Sequence, residues 1–363
     1  MIYWLLTRLC LPLLRMMQRP PSLEPQRILI VQTAKIGDMI CTLPVLQALR
    51  SRFPSAEITM MHHPSTTSLL ECDSRIDVCW PVDSRAWHKL IAKIKMIQEL
   101  RRRQLDWIVV MSPNLSWMWM PIWAGITRRI GVTPDCGRSM LRAESLHTDY
   151  LRHQREKLLL SEWQTLLARL GVTMTLDKIV QPSSQPPAIV TRLPDAPLIG
   201  IGISAANKLK ELGEDKLREV IVLLIAQTNA SIVLIGGADD SPLAQRLMDV
   251  DAPQKLIDAT GKTTLAELPW LLTRLSAYLT VDSGIAYLAD ACGIPVVLVA
   301  GPTDPAEQRP LHPDSRFIIR TPSCYPCSRV FRTRAECWTG TRECITDVSA
   351  EEMVDNLKKL LLH

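Results

Sequence analysis

The chain has 363 residues, 47% hydrophobic and 22% charged, which leaves room for two cores and therefore two domains. A formal charge of +5, carried by Lys and Arg that are scattered rather than clustered, gives no reason to expect nucleic acid and suits an anionic substrate or a membrane surface. Ten cysteines without a secretory signal point to a reducing compartment and to mostly buried thiols.

Residues 1–24 open with MIYWLLTRLCLPLLRMMQRP, in which Leu5, Leu6, Leu9, Leu13 and Met16 recur at helical spacing. Arg8, Pro12 and Arg15 interrupt the segment too early for a spanning helix. Two readings stand. The helix lies in a membrane interface with Arg8, Arg15 and Arg19 toward anionic headgroups, or it packs on the protein's own surface. PPSLEPQ ends the segment.

RILIVQ, residues 27–32, is a nearly continuous apolar run of the kind that forms a buried parallel strand. It leads into TAKIGDM and a helix with Leu43, Leu46 and Leu49 on one side. Asp38 is placed either to cap that helix or to face the carboxyl edge of the sheet, where a general base belongs. Alternation continues through EITMMHH, a short helix near Thr67, VCWPV, a long helix from Arg85 to Arg103, and DWIVVMSP. Such alternation implies right-handed crossovers and a doubly wound sheet. The run Arg101, Arg102 and Arg103 reads as a solvated helix end. Trp117, Trp119 and Trp123 read as core or as an apolar wall for an acceptor, and His62 and His63 lack a third ligand at metal spacing.

An amphipathic helix is expected from Leu151 to Leu170, followed by a Pro-rich linker over residues 181–196. The second domain, 197–363, begins PLIGIGIS. Gly200, Gly202 and Ala205 match the GxGxxA pattern formally, but the glycines fall inside the apolar strand and not in the turn after it, so this is not a dinucleotide fingerprint. The small, basic loop that follows carries Ser204, Lys208 and Lys210, and either lysine is placed to reach a diphosphate. SIVLIGG then precedes Asp239 and Asp240, which read as ribose-binding carboxylates or as helix-start caps. Further on, VDSGIAYLADACGIPVVLVAGPTDP spans Val281 to Pro305. A strand ends at Val281, a turn of Asp282, Ser283 and Gly284 follows, then a helix and a buried strand from Val296 to Ala300. Free backbone N–H groups and the positive end of a helix at the carboxyl edge of a sheet make a phosphate site. A second turn, Gly301 to Pro305, lies on the same edge.

Four cysteines, Cys324, Cys327, Cys337 and Cys344, form a C-x2-C-x9-C-x6-C loop over 324–344 that suits either a structural zinc or a compact set of reduced thiols. Arg329, Arg332, Arg334 and Arg342 lie among them, placed for phosphorylated groups or simply solvated. Ser349 caps a terminal amphipathic helix.

The whole is α/β. Two Rossmann-like, doubly wound parallel-sheet domains, 25–180 and 197–363, facing a central cleft, fit the GT-B arrangement of glycosyltransferases. GDMICTLPVLQALRSRFPSAEI resembles the first signature of the lipopolysaccharide core heptosyltransferases, glycosyltransferase family 9, and the Val281 to Pro305 stretch resembles the second. The resemblance runs from Arg27 onward.

This resemblance implies an inverting transferase that needs no metal for chemistry. It would move a heptose from a nucleotide donor, usually ADP-heptose, to the lipopolysaccharide core or a lipid A precursor, in the cytoplasm at the inner-membrane surface. Asp38 matches the family's base, with Lys35 and Gly37 on the acceptor side. Lys210 matches the phosphate-binding lysine of a Lys-x-Trp-Pro segment that here reads Lys210, Glu211, Leu212 and Gly213, so Lys208 competes for the role. Asp282, Ser283 and Gly284 match the diphosphate and sugar loop. Tyr287 stands where the family has a histidine. It donates a hydrogen bond but stays neutral, which implies a different hold on the diphosphate or another donor. An epimerase of nucleotide sugars and a non-catalytic sugar-nucleotide-binding paralogue are the alternatives.

Overall fold

The protein is described by a computed structural model covering residues 2–17, 22–83, 89–137 and 144–361. The chain divides into two compact units, Met1–Leu176 and Asp177–His363. Arg19 and the expected helix start at Arg85 lie outside the described residues.

The first unit is built on six parallel strands: β1 Arg27–Gln32, β2 Glu57–His62, β3 Val78–Pro81, β4 Trp107–Val110, β5 Arg128–Thr133 and β6 Asp149–Arg152. Their order is β3-β2-β1-β4-β5-β6. Ile28, Leu29, Ile30 and Val31 are all fully buried, as a strand covered on both faces requires. The direction of strand addition reverses between β1 and β4, so a crevice opens outside their carboxyl ends. Helices Leu90–Arg102 and Leu115–Trp123 cover one face, where Leu29, Val31, Ile108 and Val110 meet Leu100, Trp117 and Met118. Trp117 and Trp119 are core residues, which decides against the acceptor wall. Trp123 Nε1 donates to Thr7 Oγ1 at 2.7 Å, and Leu11 and Leu14 pack on the same cluster, so the helix Ile2–Met17 is docked on its own unit.

One expectation fails here. Leu151 does not begin a helix; it lies in β6, paired in parallel with β5, and the helix runs only over Leu159–Ala168. Between them His153 Nδ1 meets Glu162 Oε2 at 2.6 Å, and the Gln154 amide donates to Glu162 Oε1 at 2.8 Å. A buried carboxylate at the helix start is thus satisfied by the end of a strand, an arrangement that apolar periodicity does not reveal.

The second unit repeats the plan with β7 Leu198–Gly202, β8 Ser231–Ile235, β9 Leu256–Asp258, β10 Ala277–Val281, β11 Val296–Val299 and β12 Arg316–Ile318, all parallel, in the order β12-β11-β10-β7-β8-β9. Its reversal falls between β7 and β10. A Cβ on Gly202 would lie 2.5 Å from Tyr278 Oη and 2.6 Å from Thr280 Oγ1. The glycine therefore leaves room for the Tyr278 and Thr280 side chains of β10, and the GxGxxA pattern is a packing feature. The Pro-rich stretch runs along this unit, with Trp270 Nε1 donating to the Ser183 carbonyl at 2.9 Å. Lys178 and Asp290, both almost fully buried, form an ion pair at 2.5 Å. The last helix, Ala350–Leu361, has the Glu352 amide donating to Ser349 Oγ at 3.2 Å and buries Met353, Val354, Leu357 and Leu360. None of the ten cysteines is in a disulfide among the described residues. Only Cys41 and Cys344 are buried and the other eight are partly exposed, which corrects the expectation of mostly buried thiols.

Candidate active site

Each sheet reversal holds residues singled out from the sequence. In the first unit, β1 ends in Gln32 and a short helix, Ile36–Ile40, follows. Lys35 is its N-cap and Asp38 its third residue, half-buried, so Asp38 sits in the first turn instead of capping. A negative side chain there is favoured by the exposed N–H groups of the turn. What fixes it is the main chain. The Asp38 carbonyl accepts from Thr42 Oγ1 at 2.9 Å and from Gln32 Nε2 at 3.3 Å, and Gln32 Nε2 also reaches Thr42 Oγ1 at 3.1 Å. Gln32 Oε1 accepts from the Ala34 amide at 3.2 Å. Both Gln32 and Thr42 are buried, so their amide and hydroxyl are held where they stand. Sequence reading passed over them, although a polar residue closing the apolar run RILIV is a signal. Gly37 is buried and Lys35 exposed beside Asp38.

At the second reversal, β7 leads through Ser204 into a single turn of 3₁₀ helix, Lys208–Lys210, and β10 leads into Asp282. Asn207 caps the turn, accepting from the Leu209 amide at 3.1 Å. This turn separates the two lysines. Lys208 is exposed and pairs with Glu211 at 2.7 Å, whose hydrogen bond raises its pKa. Lys210 is buried to 9% exposure and forms an ion pair with Asp282 Oδ2, while also donating to the Asp282 carbonyl at 3.3 Å. Tyr287 donates from its hydroxyl to Asp282 Oδ1 at 2.7 Å. Both oxygens of one carboxylate are thereby engaged, by a cation on one side and a neutral phenol on the other. Ser283 is the N-cap of the helix Gly284–Ala291, with its hydroxyl 3.3 Å from Thr280 Oγ1, so the positive end of that helix begins beside the pair.

At the ends of β7 and β8, Ser204 Oγ donates to Asp240 Oδ2 at 2.6 Å and the Gly237 amide donates to the same oxygen at 2.7 Å. Asp240 therefore closes the turn after β8, as its capping alternative foresaw, and Asp239 beside it is exposed.

Residues 93–338 match the profile of glycosyltransferase family 9 (heptosyltransferase), well over half of the chain. The chain belongs to this family. It is 24% identical over 356 residues to lipooligosaccharide heptosyltransferase 2 of Haemophilus influenzae, covering 92% of this chain and 99% of the relative. Among solved structures it resembles the glycosyltransferase family 9 protein of Veillonella parvula, with a TM-score of 0.74, 20% identity and coverage of 93% and 97% of the two chains. The Escherichia coli ADP-heptose lps heptosyltransferase II gives a TM-score of 0.71 at 20% identity, covering 93% and 98%. The two parallel-sheet units are those of the GT-B class, and membership makes the chain a transferase by descent rather than one of the epimerases that share its fold.

The cysteine loop lies against the lysine turn of the second unit. Cys327 and Cys344 have their thiol pKa values raised, by burial first and then by neighbouring cysteines, Cys344 to about 11. Cys337 goes the other way, to about 7, because Thr339 Oγ1 and the Arg342 amide support its thiolate. The four are neighbours, and among the described residues no three His, Cys, Asp or Glu side chains are arranged to hold a metal ion. The loop braces the lysine turn. Arg342 donates to the carbonyls of Leu209, at 3.2 Å, and Glu211, and Asn207 Nδ2 donates to the Arg334 carbonyl at 2.7 Å. Arg329 is likewise engaged, with the buried Glu307 at 2.5 Å.

Proposed function

We propose that this family 9 member transfers a heptose from ADP-heptose to the lipopolysaccharide inner core, by an inverting displacement that needs no metal, on the cytoplasmic face of the inner membrane. The observation that carries this reading is the Lys210–Asp282 pair at the reversal of the second sheet, beside the start of the helix Gly284–Ala291. A buried ammonium and free helix N–H groups are what a departing diphosphate requires, and the donor named for the Escherichia coli relative is ADP-heptose. On binding, Lys210 exchanges Asp282 for a diphosphate oxygen. Asp282, still held by Tyr287, is then an acceptor for a sugar hydroxyl. Tyr287 is 3% exposed and acts through Asp282, positioning that carboxylate. Ser204 and Asp240 form the wall of the nucleoside side, with Asp239 exposed for the ribose.

Asp38 is the general base in this reading, removing the proton of the acceptor hydroxyl as it attacks the anomeric carbon. Lys35 and Gly37 flank it on the acceptor side. Positioning and charge stabilisation supply most of the rate enhancement. The test is an assay of the purified chain with ADP-heptose and a truncated, heptose-acceptor lipopolysaccharide in the presence of chelator. The reading expects one heptose added per acceptor, with ADP released in equal amount. Binding of ADP-heptose without transfer to any truncated core would make the protein a sugar-nucleotide-binding paralogue instead.

A further inference from the structure

Among the described residues, twelve large hydrophobic side chains are exposed, and seven of them lie on two helices of the first unit. Leu5, Leu6, Leu9 and Leu13 are 46%, 49%, 74% and 67% exposed on the helix Ile2–Met17. Leu90, Ile91 and Ile94 are 46%, 69% and 46% exposed on the helix Leu90–Arg102. Exposed leucines scattered singly need no explanation, but two stripes on one side of a domain do.

Their common side follows from what each helix buries. Leu11 and Leu14 of the first helix, and Met96 and Ile97 of the second, pack against one cluster, built on the helix Leu115–Trp123 and the face of β1 and β4 bearing Leu29, Val31, Ile108 and Val110. Both helices lie over this one face of the sheet, so their unburied stripes look outward from the same layer. The sequence of both segments is basic. Residues 1–22 contain no Asp or Glu and carry Arg8, Arg15 and Arg19; from Ser84 to Gln98 there is again no acid, with Arg85, Lys89, Lys93 and Lys95. Of these, Arg8, Lys89 and Lys95 are exposed.

We infer that these two helices form one membrane-facing surface that seats the first unit on an anionic phospholipid bilayer. Apolar stripes enter the acyl boundary while Arg and Lys reach the phosphates, the pattern of an interfacial helix. No helix among the described residues is long and apolar enough to cross a membrane, so attachment through this face is peripheral. The second helix is what makes this more than a terminal anchor. It fixes which side of the sheet faces lipid, whereas a single end-helix would act as a tether. The inference rests on the proposed lipid-borne acceptor for its biological sense, but vesicle binding is read without turnover, so the two fail separately.

The test is flotation of the full chain with vesicles of phosphatidylcholine alone or mixed with phosphatidylglycerol, at low and high salt, alongside sedimentation equilibrium. The wild type is expected to float with the anionic vesicles and to release in high salt. Leu9→Glu with Leu13→Glu, and separately Ile91→Glu with Ile94→Glu, should each lower partitioning by about tenfold or more, since each removes two apolar contacts and adds repulsion from the lipid. Circular dichroism and a urea transition matching the wild type should show that the first unit of both variants is folded, and ADP binding, a property of the second unit, should be unchanged. Two outcomes overturn the inference. One is wild-type flotation of the Ile91/Ile94 variant. The other is no wild-type binding to anionic vesicles, and a dimer that these substitutions dissociate would then assign the face to a second copy of the chain.

Discussion

The two sheet reversals share a strand order and differ in what they hold rigid. In the first unit the grip is on the main chain: Gln32 and Thr42 fix the carbonyl of Asp38, and the half-buried carboxylate stands on a five-residue helix. In the second unit the grip is on the side chains, with Lys210 and Tyr287 taking one oxygen each of Asp282. One fold therefore supports two electrostatic designs. A base that must take and release a proton needs a fixed position, whereas a clamp for a diphosphate needs a cation stored beside a replaceable anion.

The largest expected effect of breaking this comparison is at the first reversal. Asp38→Asn should lower transfer by about 10²–10⁴-fold, measured as ADP release with saturating acceptor. Lys210→Met should lower kcat/KM by about 10²–10³-fold, with part of the loss in donor KM, because both ground and transition states carry the diphosphate charge. The first unit should also be the acid-sensitive one. His147 is buried, and burial together with the Arg129 charge brings its pKa from 6.5 to about 4. The unfolded chain takes up this proton first. Stability from the neutral ring is complete above pH 6.5 and is lost as the pH falls from there toward 4, by up to about 3 kcal/mol. Urea unfolding across that range checks it, and His147→Gln should flatten the slope. The smallest effect is at Tyr287. Removing its hydroxyl in Tyr287→Phe leaves Asp282 with Lys210, so kcat should fall by about 2–10-fold, the value of one hydrogen bond. Tyr287→His should retain most of it if a hydrogen-bond donor to Asp282 is what the position requires.

Much of this was legible in the chain because parallel strands buried on both faces leave continuous apolar runs. RILIVQ and AYLTV became β1 and β10 at their expected limits, and SIVLIGG became β8 with its two closing glycines outside the strand. Edge strands leave no such run: β6, Asp149–Arg152, is mixed polar and apolar and was merged with the helix after it. The turn at Asp282 was legible from its small residues, but not which lysine meets it. Lys208 and Lys210 are equivalent in sequence and opposite in space, because a 3₁₀ turn capped by Asn207 sends one outward and one to Asp282. The cysteine spacing left zinc and reduced thiols open, and it does not encode the brace that Arg342 and Arg334 form through backbone contacts. The amphipathic N-terminal helix was foreseen with its leucines either lipid-facing or packed, whereas the exposed stripe on Leu90–Arg102 emerges only once both helices are seen on one face.

The division of labour between the two reversals is tested most directly by titrating ADP-heptose into two variants by calorimetry. Asp38→Asn is predicted to bind the donor as the wild type does, and Lys210→Met to bind it at least about tenfold more weakly, one charged contact being worth about 1.5–3 kcal/mol. Weakened binding in Asp38→Asn with unchanged binding in Lys210→Met would contradict the account.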